Sequence, residues 1–561
     1  MSRFAKFKYN VKKETKETFK LTEDYRNTVC AASYLGKKGY TIPKSLLAKE
    51  DEEYLRKELF VEPEVAGANY GNQSDENAAF PVFRENSNKF YLPRFYGIQR
   101  YGLPPRSEIT HGDDINVTFA KTLRDYQDNI IDIYTKYVNR PICSGSDHTG
   151  SGGILEVPCG RGKTVMALKI ISNIKKKTLI IVHKEFLMNQ WIERITEFLP
   201  DATVGKIQGQ VFDIEGKDIV IGMVQTLYDK EFSGDPFSKF GLTIIDEVHR
   251  IGSEQFSRTL FKTITPYMLG ISATVERKDK LTKVLYMFIG DKIYSEERKS
   301  DDLVSVRAIQ YIANDTEFNE VERDFRGNPK YSTMITKLCS YGPRSDFIIR
   351  VVGDLLKEDC EKQIMILCHN RSLLTYLYEG ISHRDLASVG YYVGGMKQTN
   401  LQETEQKQIV LATYAMAAEA LDIKTLSTLI MVTPKTDIIQ SVGRILRVKH
   451  ENPIVVDIVD KHDIFQNQWA QRRRFYKKCN YRIRQIDSLN YKGMALDWKI
   501  DQTWKRVYEP KSSISCQITE ITDDTVESDE EEKDKSSYVS PIKGTDKGKC
   551  LININFDEFD K

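Results

Sequence analysis

Glu156-Val-Pro-Cys-Gly-Arg-Gly-Lys-Thr164 is the stretch from which the fold is read. The apolar lead-in Gly153-Ile-Leu precedes it, and Ala167, Leu168, Ile171 and Ile174 follow at helical spacing. The order is strand, glycine loop, helix, which is the layout of a phosphate-binding P-loop. Gly160 and Gly162 let successive backbone N–H groups turn inward around phosphate oxygens. The helix opening near Lys163 adds its positive end. Pro158, Cys159 and Arg161 fill out the loop. Lys163 is placed for the β- and γ-phosphates of ATP, and the Thr164 hydroxyl for Mg²⁺. Val157 stands where the strict pattern has its first glycine. Cys159 reads as a small filler, since no histidine adjoins it to activate a thiolate.

A chain of 561 residues is long enough for about three to four domains with large cores. Hydrophobic residues make up 40% and charged residues 29%, the balance of a soluble globular protein. The net charge is only +2, so a nucleic-acid partner has to be argued from a local basic patch. Nine cysteines, with no CxxC spacing, fit free thiols in a reducing compartment and exclude a disulfide framework. The start, Met1-Ser-Arg-Phe-Ala-Lys-Phe-Lys, lacks an apolar core for a signal peptide, and no run approaches a membrane span. An intracellular protein without membrane contact is expected.

Composition and periodicity divide the chain into six stretches. Residues 1–115 read as an accessory domain, with Lys49 to Leu59 as a helix carrying acids first and bases last. Ala66 to Asn77 reads as a Gly/Asn-rich loop. Phe90-Tyr-Leu-Pro-Arg-Phe-Tyr-Gly97 interleaves aromatic and basic residues. It admits two readings, a stacking grip on nucleic acid or aromatics packed on the neighbouring domain. Residues 116–300 alternate short apolar strands with helices, the pattern of a parallel α/β sheet. Residues 301–340 are irregular and charged, a connector or insertion. A second α/β pattern without its own P-loop runs over 341–465. Residues 466–510 form a basic aromatic extension, read either as a grip on nucleic acid or as a solvated helix face packed by Trp469. From 511 to 561 the composition turns to Ser, Asp, Glu and Lys, the mark of a disordered acidic tail. Its last stretch, Cys550 to Asp560, is either a partner-binding motif or a tail strand.

Two carboxylates carry the next step. Asp246 and Glu247 end the apolar run Gly241-Leu-Thr-Ile-Ile. In open parallel sheets ligands gather at the carboxyl ends of strands, so these groups should face the P-loop. Asp246 can hold Mg²⁺ through water, and Glu247 can orient an attacking water. His249 and Ser272-Ala273-Thr274, at the end of the next strand, are placed to couple the nucleotide site to the second α/β domain. Gln440-Ser-Val-Gly-Arg-Ile-Leu-Arg447 puts Arg444 and Arg447 on one helix face. An arginine approaching the γ-phosphate typically contributes roughly a thousandfold or more to the rate. Two α/β domains with one P-loop between them imply a shared site in their cleft.

The ordered set Leu123-Arg-Asp-Tyr-Gln127, Pro158 to Thr164, His183 to Trp191, Gln225-Thr226, Asp246-Glu-Val-His249, Ser272-Ala-Thr274, His369-Asn-Arg371, Ala412 to Asp422 and Gln440 to Arg447 resembles the superfamily 2 helicases over residues 118–465. Pro-Cys-Gly in the loop, Asp-Glu-Val-His and Arg277-Lys-Asp279 are similar to the branch containing the XPB and UvsW helicases. Gly39-Tyr-Thr-Ile-Pro-Lys, Leu59-Phe-Val-Glu-Pro and Phe90 to Gly97 resemble the N-terminal region of the poxvirus transcript-release DNA helicases and their relatives in large nucleocytoplasmic DNA viruses.

The resemblance implies two tandem RecA-like domains and an ATP hydrolase coupled to 3′-to-5′ unwinding or translocation on DNA. It also implies release of nascent RNA from a viral polymerase, in cytoplasmic factories and in the virion. Arg124 and Gln127 would read the adenine side, and Asp422 would contact the ribose or couple the two domains. Gln440 would couple the domains. Lys184, Gln225, Thr226, Asn370, Arg371 and Thr413 would touch the nucleic-acid backbone. Ala420-Leu-Asp422 departs from the family's Gly-hydrophobic-Asp. An RNA helicase, or a nucleic-acid-binding ATP switch that does not unwind, stays open as an alternative. So do DNA, RNA or a hybrid as partner, polymerase or elongation factors as protein partners, and a monomeric state.

Overall fold

The computed structural model describes residues 21–63, 79–158, 160–248, 254–276, 281–296, 304–325, 327–419, 423, 425–436, 438–445, 450, 452–494 and 503–510. The chain divides into two compact units, Met1–Arg298 and Lys299–Lys561.

The first unit is built on an eight-stranded sheet. From edge to edge its strands are Val211–Phe212, Val204–Gln208, Ile219–Met223, Thr178–Val182, Leu242–Asp246, Tyr267–Ser272, Gly152–Glu156 and Lys292–Ser295. All pairings are parallel except that of Val211–Phe212. Thr178–Val182 and Leu242–Asp246 are buried at every position, as their unbroken apolar and β-branched runs require of strands covered on both faces. Parallel pairing brings every carboxyl end to one edge. Asp246 lies opposite Ile271, and Ser272 lies opposite Glu156.

The N-terminal region forms a separate five-stranded sheet, ordered Arg84–Glu85, Lys89–Leu92, Gly39–Pro43, Tyr34–Gly36 and Arg106–Ser107. Its core does not stay separate. Tyr40, Phe90 and Tyr101 belong to one apolar cluster with Phe261, Phe288 and Ile289 of the parallel-sheet layer. The stretch Phe90 to Gly97 takes the packing role. Phe90 and Leu92 are buried. The buried Arg94 guanidinium donates to the carbonyls of Gly150 (2.7 Å), Pro266 (2.8 Å) and Thr265 (3.2 Å).

The second unit carries another eight-stranded sheet, ordered Val389–Tyr392, Ile409–Thr413, Gln363–Cys368, Leu426–Met431, Ile454–Asp460, Ser305–Tyr311, Arg482–Asp487 and Lys505–Tyr508. Only the last pairing is antiparallel. Two largely parallel sheets in tandem are the α/β architecture that the alternating pattern of the sequence predicts.

Two boundaries move from where the sequence pattern puts them. The 301–340 stretch supplies an internal strand, Ser305–Tyr311, and the helix Tyr331–Ser340, whose Met334, Ile335 and Leu338 enter the core. Arg307 hides that strand from an apolar count, because its guanidinium is buried in a two-bond pair with Glu358 (2.5 and 2.8 Å). Residues of the 466–510 extension complete the same sheet with Arg482–Asp487 and Lys505–Tyr508. Among the described residues no helix is long and apolar enough to cross a membrane. The Ala66–Asn77 loop and the 511–561 tail lie outside the described residues.

Candidate active site

The P-loop begins where Gly152–Glu156 ends. Gly160 and Gly162 both adopt positive φ, 83° and 79°, the backbone freedom the loop was expected to need. Gly162 is doubly constrained, since a Cβ there would stand 2.4 Å from Gln127 Nε2. The helix Lys163–Ile174 starts directly after it. Lys163 reaches across to the neighbouring carboxylates, its Nζ 3.0 Å from Glu247 Oε1. Ser272 Oγ lies 3.4 Å from Glu247 Oε2 and donates to the Thr274 carbonyl at 2.6 Å. The expected convergence of Lys163, Asp246, Glu247 and Ser272 on one sheet edge is therefore present.

Asp246 is held from two sides. Its Oδ1 accepts from the Glu247 backbone N–H at 2.9 Å, and its Oδ2 accepts from the Trp191 indole N–H at 3.0 Å. Burial, and then the Glu247 charge, push its carboxyl up to about 6, against the pull of Lys163 and the two hydrogen bonds. Glu247 itself has φ 50°, a left-handed conformation that is costly for a residue with a Cβ. Such strain is retained where a fixed side-chain position outweighs it.

Several holders were not singled out in the sequence. Trp191 appeared only as the end of a motif, and its long-range bond to Asp246 leaves no local signal. Glu156 accepts from the Val275 N–H (2.8 Å), Ser295 Oγ (2.7 Å) and Lys292 Nζ (2.9 Å). Although burial opposes it, these bonds hold Glu156 below the ordinary carboxylate range. They tie the P-loop strand to the segment after Ser272-Ala-Thr274. Tyr126 lies under the Arg161 guanidinium, 3.8 Å from ring centre to Cζ, while Glu296 pairs with the same guanidinium.

Arg124 and Gln127 lie beside the loop in a capping arrangement. Gln127 Oε1 accepts from the Arg124 N–H (3.0 Å), and its Nε2 donates to the Arg161 carbonyl (3.1 Å). Tyr126 donates to that carbonyl as well (3.2 Å). In this arrangement the Gln127 amide braces the P-loop backbone.

The oxygens of Thr164 and Asp246 are hard donors of the kind Mg²⁺ takes, beside a loop whose glycines adopt positive φ, so these residues fit ATP with its metal. Bound there, Mg²⁺ would neutralise charge developing on the phosphates. Nucleotide phosphates would draw Lys163 from Glu247 and leave that carboxylate to orient water.

The proposed nucleic-acid contacts of this unit also sit at the carboxyl edge. Lys184 directly precedes the helix Glu185–Phe198, Gln225 Nε2 donates to the His183 carbonyl (3.3 Å), and Thr226 Oγ1 accepts from the Gly209 N–H (3.0 Å). In the second unit Asn370 caps the helix Arg371–His383 by accepting from the Ser372 N–H (2.8 Å), and Arg371 donates to the Gly394 carbonyl (2.7 Å). Thr413 ends its strand half-buried. His369 is bonded to Thr433 Oγ1 (2.9 Å), and burial lowers its imidazole to about 4, so it is neutral near pH 7. Arg444 ends the short helix Ile439–Arg444 on which Gln440 also lies, and their side chains are outside the description. Cys159, His249, Asp422 and Arg447 lie outside the described residues, as do Ala420 and Arg277-Lys-Asp279.

The basic 466–510 segment resolves into two kinds of residue. Arg472 is buried, bonded to both oxygens of Asp457 (2.7 and 2.9 Å) and to the Lys435 carbonyl (2.9 Å). Arg473, Arg474, Lys477 and Lys478 are exposed on the same helix.

The ResIII family, type III restriction enzyme res subunit, matches residues 120–277, which contain the P-loop, Asp246 and Ser272. A protein of Acanthamoeba polyphaga mimivirus, described as a putative ATP-dependent RNA helicase, is 34% identical over 494 residues, covering 86% of this chain and 92% of its own. The chain belongs to the superfamily 2 helicases of large DNA viruses. A helicase of African swine fever virus, described in the same words, is 28% identical over 59% of this chain and 69% of its own. The DNA 3′-5′ translocase XPB2 of Sulfurisphaera tokodaii is 36% identical over 39% of this chain and 46% of its own. This helicase is therefore an ATP-dependent superfamily 2 enzyme of viral type.

Proposed function

We propose that this helicase couples ATP hydrolysis to 3′-to-5′ movement along DNA, and that it serves release of transcripts by the viral RNA polymerase in the infected cytoplasm. The observation carrying the ATPase step is the single cluster Lys163–Glu247–Asp246–Ser272 at one sheet edge. In this reading Thr164 and Asp246 would hold Mg²⁺, which would offset charge on the phosphates, and Glu247 would orient the attacking water. Arg444 and Arg447, from the unit that lacks a P-loop, complete the charge around the γ-phosphate as the two units close. Lys184, Gln225, Thr226, Asn370, Arg371 and Thr413 then take alternating holds on the backbone. Such contacts give weak sequence preference and strong salt dependence.

The choice of DNA is supported by the motif resemblance to XPB and by the name of the archaeal translocase. RNA is the second reading, favoured by the names given to the mimivirus and African swine fever virus relatives. ATPase stimulation by DNA and RNA of equal length separates the two, and stimulation by RNA alone replaces the first with the second. Lys163→Ala should abolish nucleic-acid-stimulated turnover, and retained turnover in that variant refutes the site. Strand displacement on duplexes tailed on either side reads the polarity.

A further inference from the structure

In the second unit the strand Leu426–Met431 runs out into Val432-Thr-Pro-Lys435, ahead of the short helix Ile439–Arg444. A run outside regular structure has no ladder to satisfy its carbonyls. Here each carbonyl in turn accepts from a side chain. Arg344 Nη2 donates to that of Val432 (2.8 Å) and the Tyr414 hydroxyl to that of Thr433 (2.6 Å). The Tyr331 hydroxyl donates to that of Pro434 (3.2 Å) and Arg472 Nη1 to that of Lys435 (2.9 Å). The donors come from four helices, Gly342–Glu358, Tyr414–Glu419, Tyr331–Ser340 and Asp463–Lys478.

The donors are themselves tethered. Arg344 bonds both oxygens of Asp460 (2.7 and 2.8 Å), and Arg472 bonds both oxygens of Asp457 (2.7 and 2.9 Å). Both aspartates lie on Ile454–Asp460, the strand paired with Leu426–Met431. Lys435 Nζ lies over the Tyr414 ring, 5.7 Å from its centre. Satisfying four carbonyls does not by itself call for this arrangement, since water or a nearby N–H serves as well. Two buried ion pairs carry a desolvation cost that works against stability. What they achieve is geometric. Four successive peptide planes are each fixed by a separate element, so the chain has no soft joint from Val432 to Lys435. Beyond it the buried Ile438 and Val442 seat the helix, with the Val442 N–H on the Ile438 carbonyl (2.9 Å).

We propose that Arg344, Tyr414, Tyr331 and Arg472 are positioning residues, a cradle that sets the place of the helix Ile439–Arg444 and so of the arginine that ends it. The inference deepens the helicase reading and rests on its assignment of Arg444 and Arg447 to the γ-phosphate. An arginine stabilises charge developing in the transition state only from a narrow range of positions. A small shift of its helix therefore costs rate and spares ATP affinity.

The test measures the single-turnover rate of ATP hydrolysis and the half-saturating ATP concentration, with saturating single-stranded DNA and, in parallel, RNA. It compares wild type with Tyr414→Phe and Tyr331→Phe, each of which keeps its ring and loses one donor. Thermal melting checks that each is folded at the assay temperature. Both should hydrolyse about tenfold more slowly, with the half-saturating ATP concentration unchanged. The same two changes are then made in a chain carrying Arg444→Ala and Arg447→Ala. There they should add no further loss, because no arginine remains to be placed. A wild-type rate in either folded variant overturns the cradle. An equal loss in the chain without the arginines overturns it too, since that is the mark of a merely structural bond. A wild-type rate in Arg444→Ala with Arg447→Ala overturns the arginine assignment itself, and the cradle with it.

Discussion

The Trp191 indole N–H donates to Asp246 Oδ2 at 3.0 Å, and both side chains are buried. The bond joins the helix Glu185–Phe198 to the carboxylate proposed to hold Mg²⁺. It favours the ionised form of a group that its surroundings push towards protonation. Trp191→Phe keeps the ring and deletes the donor. A hydrogen bond to a charged group contributes roughly 1.5–3 kcal/mol, so the ATPase kcat should fall at least about tenfold while KM for ATP changes little. The acid limb of the pH–rate profile should move to higher pH. A folded variant with wild-type kcat would remove Trp191 from the site.

Asp246 also predicts a pH dependence of stability. Its carboxyl is at about 6 in the folded protein against 3.8 for an ordinary aspartate. The folded state binds this proton more tightly, so its contribution is fully present below pH 3.8 and fades as pH rises to about 6. Above that window the buried charge is a penalty. Asp246→Asn should therefore be inactive yet more stable near neutral and mildly basic pH, by about 1–3 kcal/mol. The gain should shrink towards about pH 5. Chemical denaturation at the two pH values checks this, and an equal gain at both would count against the assigned cause.

Arg94 sits among three backbone carbonyls, and among the described residues no carboxylate pairs with it. Arg94→Met keeps much of the stem but strips those acceptors of their donor. The first unit should lose about 2–4 kcal/mol, the cost of buried acceptors left without a partner. Because the two sheets share one apolar cluster, they should melt together. A separate early transition for the N-terminal sheet would contradict that.

The helix Asp463–Lys478 offers a paired test. Arg472→Ala leaves Asp457 buried without its partner and should cost about 3–5 kcal/mol. Changing Arg473 and Arg474 together to Gln should leave the melting temperature within a degree or so, since both are exposed. If this face touches nucleic acid, the double change lowers the salt slope of binding by up to about 2. An unchanged slope assigns the face to solvent.

The fold was largely legible because its parallel strands are buried runs such as Thr178–Val182, which composition alone exposes. The glycine loop and the Asp246–Glu247 strand end were legible for the same reason, as local patterns with one physical meaning. Long-range pairing was not. Nothing near Arg307 announces Glu358, so an internal strand read as a charged connector. Nothing near Arg472 announces Asp457, so a buried structural arginine counted among basic surface residues. Trp191 and Glu156 escaped likewise, because their partners are far off in the sequence.

Arg94 also has a mechanical consequence for the nucleotide loop. Its guanidinium grips the carbonyl of Gly150, just ahead of the strand Gly152–Glu156 that feeds the P-loop. Phe95 stands where a Cβ on Gly152 would approach its ring to 2.9 Å, so there is no slack between them. Whatever load the N-terminal sheet bears is thus delivered along a taut strand to the nucleotide loop, and the accessory sheet works as a handle on the motor.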